Sequence, residues 1–195
     1  IVCNPNNPTG TGYDREALLA FARRCREADT ELLLDEAFLG FTDQQTLAGT
    51  PGVTVARSLT KLFGLPGIRA GFAVEGGEAM ERARRPWNVS VPALAVGQYC
   101  MRQDGFIAET RQRIDNERSR VIDGLPETVE VFDSVAPFVL LDIGDRDVDR
   151  VLQMFSDEKI ALRDARTFRG LDNHVRIAIR DSESNDRLLE VFERV

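Results

Sequence analysis

The sequence predicts an α/β fold in which a mostly parallel sheet with helices is followed by a small α+β domain. Short apolar runs at residues 1–3, 31–35 and 53–56 each end in a polar loop, as buried parallel strands do. After about Gly124 the pattern changes to short strands and helices in mixed order. We therefore expect one domain over residues 1–123, ending in a long helix that can bridge two domains, and a second over residues 124–195.

The first strand leads into Asn4–Gly10, a loop in which two prolines fix φ and several asparagines offer amides. Asp14 is expected to cap a helix over residues 15–28, because apolar residues recur there at helical spacing. A further strand is predicted at residues 68–74, but the pattern does not determine its direction relative to the other strands. The other predicted elements of this domain are strands at residues 31–35 and 53–56 and helices at residues 78–85, 93–102 and 106–124.

The second domain carries shorter elements of both kinds. Alternating apolar residues indicate its strands, and apolar residues three and four apart indicate its helices. The predicted elements are strands at residues 128–132, 138–143, 161–163 and 175–179 and helices at residues 148–158 and 185–194.

Composition excludes several classes of partner. A net charge of −7 without a basic stripe argues against binding to nucleic acid or to an anionic membrane surface. No apolar run approaches the length of a membrane span. The cysteines Cys3, Cys25 and Cys100 are too scattered for a zinc site, so we expect free thiols in a reducing, cytoplasmic compartment.

Lys61 stands out because the chain has two lysines beside twenty-three arginines. A lysine can lose its proton and act as an amine nucleophile, whereas arginine stays charged. Ser58, Thr60 and Arg69 surround it in sequence, and hydroxyls with an arginine suit a phosphate group. The alternative is a polar turn after a buried strand.

Asp35 ends one predicted strand, and Asn7 follows another. Ligands of open parallel sheets lie outside the carboxyl ends of the strands, so Asn7, Asp35 and Lys61 are expected to converge there. A pyridine cofactor that acts as an electron sink needs an amine for its aldehyde, a carboxylate for its ring nitrogen, a donor to its phenolic oxygen and a phosphate site. The residues singled out fill these roles. For Asp35 alone, a loop or helix-capping carboxylate is the alternative.

Four segments in order along the chain resemble the aspartate aminotransferase superfamily of fold-type I pyridoxal-phosphate enzymes. They are Asn4–Gly10, Leu34–Phe38, Ser58–Lys61 with Arg69, and Val175–Arg180. The resemblance implies that pyridoxal 5'-phosphate is bound by Asn7 at its phenolic oxygen, Asp35 at its ring nitrogen, Lys61 at its aldehyde, and Ser58 and Arg69 at its phosphate. It also implies that Arg176 binds the α-carboxylate of the substrate.

Within the superfamily the chain looks most like the histidinol-phosphate aminotransferase and threonine-phosphate decarboxylase families. Arg163 and Arg176 resemble their pair of substrate-binding arginines, which implies a phosphorylated amino substrate. Phe38 departs from the tyrosine of most aminotransferases and removes a second donor to the phenolic oxygen. Phe38, Trp87 with Asn88, residues 167–171 and Arg180 look more like the decarboxylase of cobalamin synthesis, although Arg180 also suits a surface salt bridge. Transamination remains the alternative.

The family's N-terminal segments, including a phosphate-binding turn, have no counterpart in this sequence. The resemblance therefore implies the C-terminal part of a longer, homodimeric enzyme, and we expect the chain to be inactive alone. An inactive fragment or a binding module is the hypothesis from another class.

Overall fold

A computed structural model describes residues 1–74 and 77–195, and it divides the chain into two compact units. The first unit consists of Ile1–Pro5 and Gly12–Arg111. The second consists of Asn6–Thr11 and Gln112–Val195, so that the loop after the first strand belongs to it.

The first unit contains a four-stranded sheet in the order β1-β2-β3-β4. Its strands are β1 (Val2–Cys3), β2 (Leu32–Asp35), β3 (Val53–Ser58) and β4 (Gly71–Val74). The first three are parallel, which confirms the predicted class of fold, and β4 is antiparallel to β3. Residue 68 was too early a start for β4, because Pro66–Ile68 form a 3-10 turn and Arg69 adopts a left-handed conformation.

Helix α1 (Arg15–Glu27) covers this sheet as predicted. The carboxylate of Asp14 caps it by accepting from the Ala17 N–H at 2.9 Å. Each fully buried aliphatic side chain contributes about 1.5–3 kcal/mol. One cluster of buried residues in this unit consists of Leu18, Ala22, Leu32, Leu34, Leu47, Val53 and Val55.

The remaining helices of the first unit are α2 (Leu59–Leu62), α3 (Gly77–Ala83) and α4 (Val91–Cys100). Helix α4 begins two residues earlier than predicted, because Ser90 caps it by accepting from the Ala93 N–H at 3.3 Å. Helix α5 (Asp104–Gly124) runs from the first unit into the second.

The second unit contains an antiparallel sheet in the order β5-β6-β8-β7. Residues 161 and 162 lie outside its ladder, so the strand predicted there is confined to β7. Helix α7 begins at Ser182 and not at residue 185, because Asp181 caps it by accepting from the Ser184 N–H at 2.9 Å. The elements are β5 (Glu130–Val131), β6 (Phe138–Asp142), α6 (Val148–Asp157), β7 (Arg163–Asp164), β8 (His174–Ala178) and α7 (Ser182–Phe192).

No helix in the described part of the chain combines the length and apolar character that crossing a membrane requires. Across residues 1–74 and 77–195, no group of three or more histidine, cysteine or acidic side chains is placed to hold a metal ion. Cys3, Cys25 and Cys100 form no disulfide bond.

Glu117 joins α5 to α7 within the second unit. Its carboxylate accepts hydrogen bonds from Arg120 at 2.8 Å, Asn185 at 2.7 Å and Ser182 at 2.8 Å. Arg120 also pairs with Asp186. The bonds from Arg120 and then Asn185 lower the pKa of Glu117 from 4.5 to about 2, against a smaller opposing effect of burial.

We predict that Glu117→Gln makes the protein less stable at pH 7 by about 1–3 kcal/mol. Because the folded pKa is depressed, this contribution is complete above pH 4.5 and is lost as the pH falls through about 2. Urea unfolding at several pH values should show the two proteins converging over that interval. The exposed Glu127→Gln serves as the control, and a difference that stays constant down to pH 2 would contradict the assignment.

Candidate active site

The strand register places several polar residues at one edge of the first sheet. Cys3 pairs with Asp35, and Asp35 pairs with Ala56, so the carboxyl ends of three parallel strands are level. Ser58 at the end of β3 lies opposite Gly71 of β4. This is the edge at which open parallel sheets bind ligands.

The hydroxyls of Ser58 and Thr60 are 2.8 Å apart and hydrogen-bonded to each other, and Ser58 Oγ also accepts from the Thr60 N–H at 3.2 Å. The Leu59 N–H donates to the Ala70 carbonyl at 3.1 Å, which brings the segment carrying Arg69 beside this turn. Arg69 is exposed and has φ of 55°. A non-glycine residue in this conformation is strained, and such residues concentrate at functional sites.

Lys61 lies exposed on α2, and its amine is 5.8 Å from the centroid of the Phe38 ring. Asp35 is half-buried, and its Oδ1 accepts from the Ala37 N–H at 2.9 Å. This hydrogen bond stabilises the loop after β2, so Asp35 has in part the role of a loop carboxylate that the sequence analysis gave as the alternative. Its Oδ2 has no hydrogen bond to any residue that the structure describes.

Glu36 is a buried residue that the sequence interpretation missed. Its side chain is fully buried, and it accepts from Thr46 Oγ1 at 2.6 Å and from the Leu47 N–H at 2.9 Å. The Nε of Arg57 lies 4.0 Å away. The sequence signal for its burial was the alternation of Leu32, Leu34 and Glu36. Alternate residues of a strand face the same side, so the carboxylate of Glu36 lies on the buried side with the two leucines.

Asn4 was also missed as a structural residue of the first unit, where it is buried. Its Nδ2 donates to Gln44 Oε1 at 3.1 Å, and its Oδ1 accepts from the Tyr13 N–H at 2.9 Å. These bonds fix the chain where it leaves β1.

Asn7 belongs to the second unit, so its predicted grouping with Asp35 and Lys61 stays a prediction. Its Oδ1 accepts a hydrogen bond from a guanidinium nitrogen of Arg176. The amide nitrogen of Asn7, which can only donate, has no acceptor among the described residues.

The structure brings Arg163 and Arg176 together, since they pair directly across β7 and β8. Arg176 lies 4.5 Å from the Phe138 ring centroid, and Arg163 donates to Thr167 Oγ1 at 2.8 Å. Burial, and then the charge of Arg163, lower the pKa of Arg176. Neither arginine has an ion pair with a described residue, and this arrangement favours an anionic ligand.

The remaining predicted substrate residues are Arg180, Trp87 and Asn88. Arg180 lines a cavity of about 390 Å³ in the second unit, and neither Arg163 nor Arg176 contributes to that cavity. In the first unit, Trp87 is 98% exposed and Asn88 is exposed.

A cavity of about 170 Å³ in the first unit adjoins Ser58. Glu36 and Arg57 line it together with apolar side chains such as Leu62 and Phe72. Asp35, Lys61 and Arg69 are not among its lining residues, so we place the candidate chemistry at the sheet edge and not in this cavity.

A parallel sheet with polar residues at its carboxyl edge defines a ligand-binding α/β protein. The chain belongs to the aminotransferase class I and II family, whose model it matches over residues 1–192. The resemblance drawn from the four segments is thereby confirmed.

Two curated relatives match the whole chain. It is 32% identical to threonine-phosphate decarboxylase of Salmonella typhimurium, covering 57% of that protein. It is 34% identical to histidinol-phosphate aminotransferase 2 of Archaeoglobus fulgidus, again covering 57%. The chain thus spans a little over half the length of these relatives.

Solved structures share the fold. Histidinol-phosphate aminotransferase from Clostridium acetobutylicum matches with a TM-score of 0.91 and 26% identity, over 99% of this chain and 62% of that one. Histidinol-phosphate aminotransferase from Sinorhizobium meliloti, in complex with pyridoxal-5'-phosphate, matches with a TM-score of 0.83 and 25% identity, over 98% of this chain and 56% of that one.

We predict that the neighbouring carboxylates differ in their effect on stability. Glu36→Gln should lower the free energy of unfolding by about 1–3 kcal/mol, because it disturbs buried hydrogen bonds and leaves Arg57 without its partner. Asp35→Asn should change it little, because an amide oxygen can still accept from Ala37. Denaturant unfolding of both variants at neutral pH tests this, with the exposed Glu31→Gln as the control, and equal losses in both variants would refute it.

Proposed function

We propose that this chain supplies cofactor-binding and substrate-binding residues of a pyridoxal-phosphate enzyme that acts on a phosphorylated amino compound. The observation that carries the proposal is the Arg163–Arg176 pair, two arginines at paired positions of β7 and β8 without an acidic ion-pair partner among the described residues. Family membership supplies the reaction class.

The residues present fit the cofactor. One carboxylate oxygen of Asp35 has no hydrogen bond with a described residue, as a partner for a protonated ring nitrogen requires. Asn7 is oriented by Arg176 so that its amide nitrogen is the remaining donor, which suits a phenolic oxygen. The proposed set is Lys61 for the aldehyde, Asp35 for the ring nitrogen, Asn7 for the phenolic oxygen, Phe38 against the cofactor, and Ser58, Thr60 and Arg69 for the phosphate.

When bound, pyridoxal phosphate supplies an electron sink for bond cleavage at the substrate's Cα. Arg176 and Arg163 hold the substrate's anionic groups, and their planar guanidinium groups can each donate two hydrogen bonds to a carboxylate or phosphate. In a decarboxylation, Arg176 holds the carboxylate that departs. In a transamination, the Lys61 amine accepts the Cα proton instead.

Of the two reactions we propose decarboxylation of threonine phosphate, a step of cobalamin synthesis. Phe38 in place of tyrosine and the Trp87–Asn88 loop support this choice, as does the likeness to the Salmonella decarboxylase. Arg180 stays a predicted substrate residue, but it gives this choice no support, since it lines a different cavity from Arg163 and Arg176. Transamination of histidinol phosphate is the alternative, favoured by the likeness to the Archaeoglobus enzyme.

We further propose a cytoplasmic homodimer. The outer side of α4 supports a protein partner, because Val91 is 78% exposed, Leu94 54% and Tyr99 66%. An apolar surface of this kind on a folded protein usually marks an interface. Measuring the mass in solution tests this point.

The first prediction of the proposal concerns Lys61. After incubation with pyridoxal phosphate and borohydride reduction, the cofactor should be attached to the peptide that contains Lys61. The chain offers a matched control, because Lys159 is its only other lysine. Lys159→Arg should keep the label and Lys61→Arg should lose it, since a guanidinium cannot react with the aldehyde in this way. Label on Lys159 alone would refute the assignment.

The second concerns the arginine pair. Arg163→Lys and Arg176→Lys keep the charge but lose the two-pronged geometry, so we expect the KM of the complete enzyme for the phosphorylated substrate to rise about tenfold or more. Arg150→Lys, an exposed cation on α6, should leave KM unchanged. Unaltered KM in both of the first variants would make these arginines ordinary surface cations.

The third concerns the reaction. In the complete enzyme of which this chain is a part, threonine phosphate should yield carbon dioxide and aminopropanol phosphate, whereas histidinol phosphate with an oxo-acid acceptor should yield little product. Robust transamination without gas release would establish the alternative. Covalent attachment at Lys61 with turnover of neither substrate would favour the binding module or inactive fragment.

A further inference from the structure

The cavity that contains Arg180 has features that the proposed function does not use. It lies between the residues that precede β7, the end of β8, and α7, all within the second unit. Its volume of about 390 Å³ is in the range of small-molecule sites.

Three of its lining residues are cations: Lys159, Arg180 and Arg187. No acidic side chain is among the described residues that line it. Arg187 is oriented by donating to the Glu158 carbonyl at 2.8 Å. The Lys159 amine and the Arg180 guanidinium have no hydrogen bond or ion pair with a described residue. The pKa of Asp181 is lowered chiefly by hydrogen bonds from Ser184, and the charge of Arg180 adds a smaller contribution.

Lys159 also has an unusual backbone. It adopts φ of 64° directly after α6, at a position that glycine or asparagine usually occupies. A lysine in this left-handed conformation is strained. Almost all of the other basic residues of the chain are arginines. The Lys159 side chain brings a primary amine to the lining of the cavity.

The remaining walls are largely apolar, with Ile160, Leu162 and Leu188 among them. Cations with apolar walls fit a ligand that has an anionic group and a carbon skeleton. We propose that this cavity binds a small phosphate-bearing molecule, with Lys159, Arg180 and Arg187 around the phosphate group. This goes beyond the proposed function, because neither Arg163 nor Arg176 takes part.

The test is a calorimetric titration of the protein loaded with pyridoxal phosphate and carrying Arg163→Gln and Arg176→Gln, so that the proposed cofactor and substrate anion sites do not contribute. Glycerol phosphate and inorganic phosphate are titrated separately, and glycerol is the uncharged control. We expect phosphate-dependent binding to persist. Tighter binding of glycerol phosphate identifies an organic phosphate as the ligand, and equal binding identifies phosphate itself.

In that background Lys159→Asn should weaken binding about tenfold, because asparagine tolerates the left-handed backbone but lacks the charge. Lys159→Arg should restore binding, and Arg150→Gln should have no effect. Amide resonances of residues 160–162 and 184–188 should shift on titration. Loss of all phosphate binding in the background protein, or affinity unchanged by Lys159→Asn, would overturn the proposal whatever reaction the enzyme performs.

Discussion

The pairing of β2 with β3 is the constraint on which the candidate site depends. Leu34 lies opposite Val55, and both are fully buried, so a shift of one residue would turn apolar side chains out of the core. The same register sets Asp35 opposite Ala56 and brings the end of β3, with Ser58, to the edge where Asp35 lies. The position of the polar residues thus follows from burial of the apolar ones.

Polar residues around this edge divide into two groups. Asn4 and Glu36 are buried and have their hydrogen bonds completed by residues of neighbouring loops. Lys61 and Arg69 are exposed, and Arg69 donates to the Pro66 carbonyl at 3.3 Å. Completed buried bonds hold loops rigidly, and a rigid support lets exposed groups act at fixed positions.

The sequence predicted those parts of the fold whose signals lie within a few neighbouring residues of the chain. The strand before Asp35 and the helix capped by Asp14 depend on periodicity and on one neighbouring side chain. The missed features depend on partners farther along the chain. The Glu36 carboxylate accepts hydrogen bonds from Thr46 and Leu47. The Asn4 amide donates to Gln44, forty residues away. For the same reason, sequence named Arg180 but gave no indication that Lys159 and Arg187 line the same cavity.

The residues around Arg163 and Arg176 are arranged so that the positive charge of this pair remains for a ligand. Asp164 follows Arg163 directly and is the nearest acid in sequence, yet its carboxylate is bound by Arg166 at 2.8 Å. Arg166 also binds Asp149, and hydrogen bonding from Arg166 lowers the pKa of both carboxyl groups. Because Arg166 holds these acids, Arg163 adds its positive charge to that of the half-buried Arg176 without forming an ion pair with any residue that the structure describes. Two like charges held together in this way are stabilised when an anion binds them, which is why this pair, more than any single residue, supports a substrate with anionic groups.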